Sequence, residues 1–354
     1  MKTLLLVWTV LVTLAVGQEP LPVSVTPLKS GVNASFRGLA VRGAKEAWAT
    51  GSAGTVVRTL DAGQSWEKVA VPYEPVTDKD GKDVAMDFRD VELLPDGSVV
   101  LMSIGNGAAS KLFRSTDGGK TWQGVLENKD ENGFFDGLVF DKAGKNGLLF
   151  GDPLNGRLDM YTTTDGAKTW QAVPQQNRPK LAEGEYGFAA SGTGAAMIGS
   201  EIWIGTGGSV ARLHYSGDGG KTWTARKTPM RSGNPSSGIF SIAFADSNHG
   251  VVIGGDYLKP DEVSQNVGVT TNGGQTWVDL AKVEMPHKAC VQVVGKQHFL
   301  ACGRTGITFS ADGGLSWRPV SNVSYYTCAF DPVSGTGFMA GKEGGIARFQ
   351  IKRP

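Results

Sequence analysis

The chain is poor in the residues that usually announce a chemistry. Its 354 residues hold three cysteines, Cys290, Cys302 and Cys328, and four histidines, His214, His249, His287 and His298. Three cysteines are too few for a disulfide scaffold, so stability has to come from packing. The histidines are scattered without ligand spacing, and neither H-E-x-x-H nor C-x-x-C occurs. No metal centre and no cofactor is expected on that basis. Charge of one sign is lacking too: Lys+Arg 35 against Asp+Glu 34 leaves a formal charge of +1. With no basic run interleaved with aromatics, there is no field for a nucleic-acid backbone. The glycine runs at 205–209 and 341–345 stand between strand-like stretches and open no helix, which excludes a phosphate-cradling loop.

Long apolar runs are also missing, apart from one at the start. Lys2 is followed by an apolar stretch at 4–16, broken by Thr9 and Thr13, and by the small-residue end Ala15-Val16-Gly17. About 13 residues fall short of the ~20 that a spanning helix needs. The pattern predicts a cleavable secretory signal at 1–17 and a mature chain, 18–354, without a transmembrane segment, placed in the periplasm or outside the cell. Cys290 and Cys302 flank a polar turn at 295–297 and fall opposite each other on a hairpin. They are either two small buried side chains or a cross-strand disulfide.

Glycine, by contrast, is abundant. Gly 50 of 354 is about twice the ~7% average, which points to turn-rich β architecture. One pattern recurs along the chain: TLDAGQSW ending at Trp66, STDGGKTW at Trp122, TTDGAKTW at Trp170, SGDGGKTW at Trp223, TTNGGQTW at Trp277 and SADGGLSW at Trp317. The intervals of 56, 48, 53, 54 and 40 residues lie in the range of propeller blades. In each copy an acidic residue (Asp61, Asp117, Asp165, Asp218, Asp312, or Asn272 in its place) can accept hydrogen bonds from its own turn, and the next residues supply a positive φ. These residues therefore read as structural. The Trp that follows begins a strand and seals the space between sheets. Ala167 replaces the second glycine in the third copy, where strain is expected.

This S/T-x-D-x-G-x-T-W string resembles the Asp-box, or BNR, repeat, found in sialidases, xyloglucan-degrading enzymes, sortilin-type receptors and photosystem II stability/assembly factor-like propellers. As a fold marker it is specific; for function it is not. Between boxes the units alternate strand and turn, with first strands FRGLAV, FRDVEL, FDGLVF, FSIAF, CVQVV and YTCAF. Four strands per unit make a blade. After the sixth box one further unit supplies three strands, and PLPVSVTPLK near the amino terminus is a spare strand that completes it. The predicted fold is all-β: a single seven-bladed propeller of four-stranded antiparallel blades, its ring closed by the N-terminal strand, with no open edge.

Such a meander puts every box on one face and the long segments at 73–86, 175–187, 229–238 and 256–266 on the other, which is where a ligand or partner is expected. Arg37 and Arg89 open first strands of adjacent blades and Arg304 ends a second strand, so all three can reach the channel mouth and hold an anionic group. Asp152 and Arg157 in GDPLNGR, and Asp256 in GGDYLKPDE, are further binding candidates on this face. Strings such as SFRGLAV and TVVRTLDAGQSW are similar to blades of the photosystem II assembly factor-like propellers. That resemblance implies a non-catalytic platform with an arginine-bearing surface and another protein as partner. The alternative is a sialidase-type glycoside hydrolase acting on a glycan, with Tyr325 or Tyr326 as nucleophile. SFRGLA lacks the Ile-Pro of the F/Y-R-I-P string such an enzyme carries.

Overall fold

The box turns close themselves by one repeated set of bonds. In the computed structural model, which describes residues 22–77, 82–279 and 283–352, the Asp117 carboxylate accepts Ser115 Oγ at 2.9 Å, the Thr121 N–H at 2.9 Å and Thr121 Oγ1 at 2.6 Å. Asp61, Asp165, Asp218 and Asp312 make the corresponding bonds. Asn272 keeps the geometry with one donor reversed: Oδ1 accepts the Thr276 N–H at 2.9 Å while Nδ2 donates to Thr276 Oγ1 at 2.8 Å. The left-handed positions fall on alanine in two copies, Ala62 at φ 66° and Ala167 at φ 63°. In those two the indole N–H of Trp66 and Trp170 is buried without an acceptor. Trp122, Trp223 and Trp317, in double-glycine copies, donate to the Gly119, Gly220 and Gly314 carbonyls at 3.2, 3.1 and 3.0 Å.

Each turn leads the chain back into an antiparallel sheet, and the sheets follow one another around a ring of seven blades. Their innermost strands are Phe36–Arg42, Asp87–Leu93, Phe135–Phe140, Ala195–Ile198, Ser237–Phe244, Cys290–Val293 and Thr327–Asp331. The seventh blade closes as the spare strand requires: Val23–Lys29 lies antiparallel to Gly345–Ile351, with Val23 opposite Ile351 and Lys29 opposite Gly345. The fifth blade is built differently. Glu185–Tyr186 and Gly207–Gly208 extend its inner edge. Behind its box, Val278 N–H donates to the Val269 carbonyl at 2.8 Å where other blades set a fourth strand. The expected signal at 1–17 lies outside the described residues.

The core is divided among the junctions between blades, which hold seven buried clusters among the described residues. A box Trp packs against six of them, reaching back onto the preceding blade. Trp122 meets Trp48 edge to face at 6.3 Å, and Trp66 meets Phe338 at 5.9 Å. The junction of the sixth and seventh blades has no box Trp; it holds Cys290, Cys302, Cys328, Met339 and Phe349.

The hub is filled as well. Before the fourth blade's innermost strand, residues 187–193 run through the ring's centre. Ala189 and Ala190 carbonyls accept from Arg89 and Arg37 at 2.9 and 3.5 Å. Ser191 Oγ donates to the Ala289 carbonyl at 2.9 Å, and the Ser191 carbonyl accepts from Thr327 Oγ1 at 3.2 Å. The Thr193 carbonyl accepts the Ile242 N–H at 2.9 Å. Blades one, two, five, six and seven thus all bond to one short segment. Glycine is required where it passes closest: a Cβ on Gly192 would stand 2.4 Å from the Asp90 carboxylate, and one on Gly187 2.3 Å from that of Asp136.

Candidate functional site

Three of the residues facing the hub mouth, Arg37, Arg89 and Phe240, are aimed there by β-bulges. Pairing of the innermost strand with its neighbour skips one residue at Arg37, Arg89, Asp136 and Phe240, in blades one, two, three and five. An extra residue in one strand bends it and takes its side chain out of the strict in-and-out alternation. Each of the four sits one position after an apolar residue that stays in the core, Phe36, Phe88, Phe135 or Ile239.

The result is a cavity of about 260 Å³ at the mouth on the loop-bearing face, lined by Arg37, Arg89, Phe188, Ala189, Ala190, Phe240, Tyr257, His287, Ala289, Arg304 and Tyr326. Six of the seven blades contribute. The three arginines enter from blades one, two and six and line this one cavity. The guanidinium of Arg37 lies 4.0 Å above the Tyr326 ring, and that of Arg304 lies 5.9 Å from the same ring. Phe188 and Phe240 stack at 4.1 Å, and the His287 ring meets Phe240 edge on at 4.7 Å. The floor is the hub segment itself.

Charge in this cavity is unbalanced. Arg89 pairs with Asp87 at 2.8 Å. Arg37 and Arg304 are bonded to carbonyls, Ala190 and Tyr257, both at 3.5 Å, with no carboxylate within ion-pair distance of either among the described residues. Burial, then the neighbouring Arg89, pushes the Arg37 pKa down to about 10, so it keeps its proton at neutral pH. Burial, then Arg304, pushes His287 down to about 4, leaving a neutral ring whose two nitrogens have no partner. The Nε atoms of Arg37 and Arg89 are likewise unpartnered. Two unneutralised guanidiniums, free donors and aromatic walls suit a carboxylate or other anion attached to an apolar group.

The other three candidates lie elsewhere on this face. The Arg157 guanidinium donates to the Arg178 carbonyl, and its backbone forms an isolated β-bridge with Lys180. Asp256 is 4% exposed and faces Arg231 at 3.8 Å. Asp152 lies beside Asp136, and burial raises both carboxyls, Asp152 to about 6. Among the described residues, no Asp or Glu lines the cavity. Phe188, Phe240, Tyr257 and His287 were not singled out from the sequence as site residues. The signal for Phe240 was its place at the head of a first strand, equivalent to Arg37 and Arg89.

The BNR/Asp-box repeat model matches residues 113–123, the strand and box that end at Trp122 and Gln123. No curated protein matches the sequence. Among solved structures, the chain is similar to YCF48 bound to D1 peptide, with 15% identity and a TM-score of 0.62 over 94% of this chain and 96% of that one. It is similar to YCF48 from Cyanidioschyzon merolae at 19% identity and a TM-score of 0.59, covering 93% and 99%. Virginiamycin B lyase from Staphylococcus aureus is a further neighbour, at 14% identity and a TM-score of 0.58, covering 93% and 99%. A peptide-bound protein and a lyase on one scaffold show that the likeness is one of fold. The chain is a seven-bladed propeller carrying BNR/Asp-box repeats, with YCF48 among its structural neighbours.

Proposed function

We propose that the protein is an exported, non-catalytic platform that binds another protein on its loop-bearing face, with Arg37, Arg89 and Arg304 receiving an anionic group of that partner. The observation that carries this reading is the convergence of three guanidiniums on one aromatic cavity with, among the described residues, a single carboxylate, Asp87, paired to them. Around it the same face exposes Tyr257, Leu258, Val263 and Val323, at 38, 70, 50 and 52%. Arginine and tyrosine beside exposed apolar surface is the composition that interface centres favour. The peptide held by YCF48 makes a peptide the first ligand class to try. Likeness to the photosystem II assembly factor-like propellers makes assembly of a larger complex one such role. Export rests on the pattern at 1–17.

The glycoside-hydrolase alternative needs two acids facing one pocket. The neighbouring acids on this face, Asp136 and Asp152, do not line the cavity; of the two tyrosines, Tyr325 is packed in the core at 3% exposure and Tyr326 lines the cavity with its ring under Arg37. The test is capture of partners from the native host by the wild type and by Arg37→Glu, Arg89→Glu and Arg304→Glu. Arg304→Glu is the cleanest, because its guanidinium leaves the hub segment alone. Loss of the captured partner in each folded variant is expected. Unaltered capture by all three would overturn the arginine reading, and cleavage of a sialoside by the wild type would overturn the platform.

A further inference from the structure

The junction between the sixth and seventh blades carries a cluster that the platform role does not use. Cys290 and Cys302 face each other across the sixth blade, and Cys328 enters from the seventh opposite Met339. Directly paired residues share a face of their sheet, so three thiols and a thioether are brought to one place. All three thiols are free and buried. The sulfurs of Cys290 and Cys328 are 3.6 Å apart, and the three lie within 4.8 Å of one another.

We propose that Cys290, Cys302 and Cys328, with Met339 beside them, form a binding site for one Cu(I) ion. A metal bonded to thiolates at about 2.3 Å holds its sulfurs roughly 4 Å apart, which is the spacing already present. The donor set chooses the metal. Structural zinc takes four ligands, and among the described residues the ligating group of Cys, His, Asp and Glu here stops at three cysteines. Thiolate and thioether sulfur without oxygen or nitrogen suits soft Cu(I). The second shell is in place: Cys290 Sγ is approached by the Cys328 N–H at 3.4 Å and by Thr193 Oγ1 at 3.6 Å. Thr193 also lines a cavity of about 290 Å³ on the box side of the hub, together with Glu92 and Gln292, which supplies an entry route. Binding exchanges protons for the metal. Each thiol that becomes a ligand gives its proton to the solvent, and no electron moves.

The test is a titration of the reduced full chain with Cu(I) against a chromogenic Cu(I) chelator, in the absence of oxygen. One Cu(I) per chain is expected, with a thiolate-to-copper band in the ultraviolet and an X-ray absorption shell of three sulfurs near 2.3 Å. Cys302→Ser should weaken retention more than about 100-fold, since losing even an outer-shell partner costs 10–100-fold. The X-ray shell is read on the wild type and so does not depend on a variant folding. Retention unchanged in Cys302→Ser, a shell containing nitrogen or oxygen, preferential uptake of Zn(II), or a disulfide that forms in place of Cu(I) uptake would each overturn the assignment.

Discussion

Six junctions between blades are wedged by a box tryptophan and one is not, and topology explains the exception. The box is the turn between a blade's third and fourth strands, and its Trp reaches back onto the blade before. In the seventh blade those two strands are Gly345–Ile351 and Val23–Lys29, drawn from distant parts of the sequence, so there is no turn between them to carry a box. Closing the ring with a borrowed strand removes the residue that would have wedged the preceding junction. Sulfur and aromatic side chains fill the place instead, including Phe330 and Phe349 stacked at 5.7 Å. Repetition therefore sets the packing wherever the repeat is whole, and the one broken copy is free to adopt another chemistry.

The comparison can be broken most forcefully at the closure. Deleting Val23–Lys29 leaves Gly345–Ile351 as an open edge and removes Val23, Val25 and Leu28 from two junctions. Loss of the cooperative thermal transition and aggregation on size exclusion are expected; a normal melt would show that the ring does not need its borrowed strand. Next in size are single truncations. Phe349→Ala, fully buried at the boxless junction, should cost about 3–5 kcal/mol, and Trp122→Ala, half-buried at a boxed one, about 3 kcal/mol. Urea denaturation measures both, and a neutral Phe349→Ala would mean the seventh junction is not a core.

Acid separates the two faces further. Asp61 is held down at about 2, first by the Ser65 hydroxyl and N–H, and Asp218 at about 2, first by those of Thr222. A depressed folded pKa gives stability that is present above about 4 and lost as pH falls toward 2. Asp152 has the opposite sign. Burial raises it to about 6, so the folded state is penalised as pH rises from about 4 through 6. Asp152→Asn should add roughly 1–3 kcal/mol at pH 7 and lessen the fall in stability over that window in pH-dependent urea melts, with Asp90, Glu92 and Asp136, whose carboxyls burial also raises, still contributing the rest. An unchanged profile would remove the buried-acid argument.

The smallest effect compares two boxes. Ala62 and Ala167 both stand at positive φ, where glycine saves about 1 kcal/mol of strain. Ala62 is partly exposed, so Ala62→Gly should stabilise by about 0.5–1 kcal/mol. Ala167 is fully buried against the second and third blades, and losing its methyl costs about 0.8 kcal/mol, so Ala167→Gly should be near neutral by differential melting.

Local features were legible in the sequence and convergent ones were not. The boxes carry their whole bond set within eight residues, so turn, strand and blade period could all be read, as could the closing strand. Arg37 and Arg89 stood out because each follows a core phenylalanine at the head of a first strand. The aromatic walls were hidden: Phe188, Tyr257 and His287 belong to loops whose distance from the hub depends on the closed ring. The same holds for the thiols. Cys290 and Cys302 share a hairpin and were legible as a pair, while Cys328 joins them only because the next blade docks. Residues 187–193 have no periodicity at all, since their partners come from the other blades.

That central segment has a mechanical consequence. The peptide groups of Ala189 and Ala190 are at once the base on which a guest would rest and part of the keystone segment, 189–193, against which five wedges lean. Any guest that draws Arg37 or Arg89 toward itself loosens the keystone by the same motion. Occupancy at the mouth would then be felt around the whole circumference, and the thermal endurance of the wheel would report on its cargo.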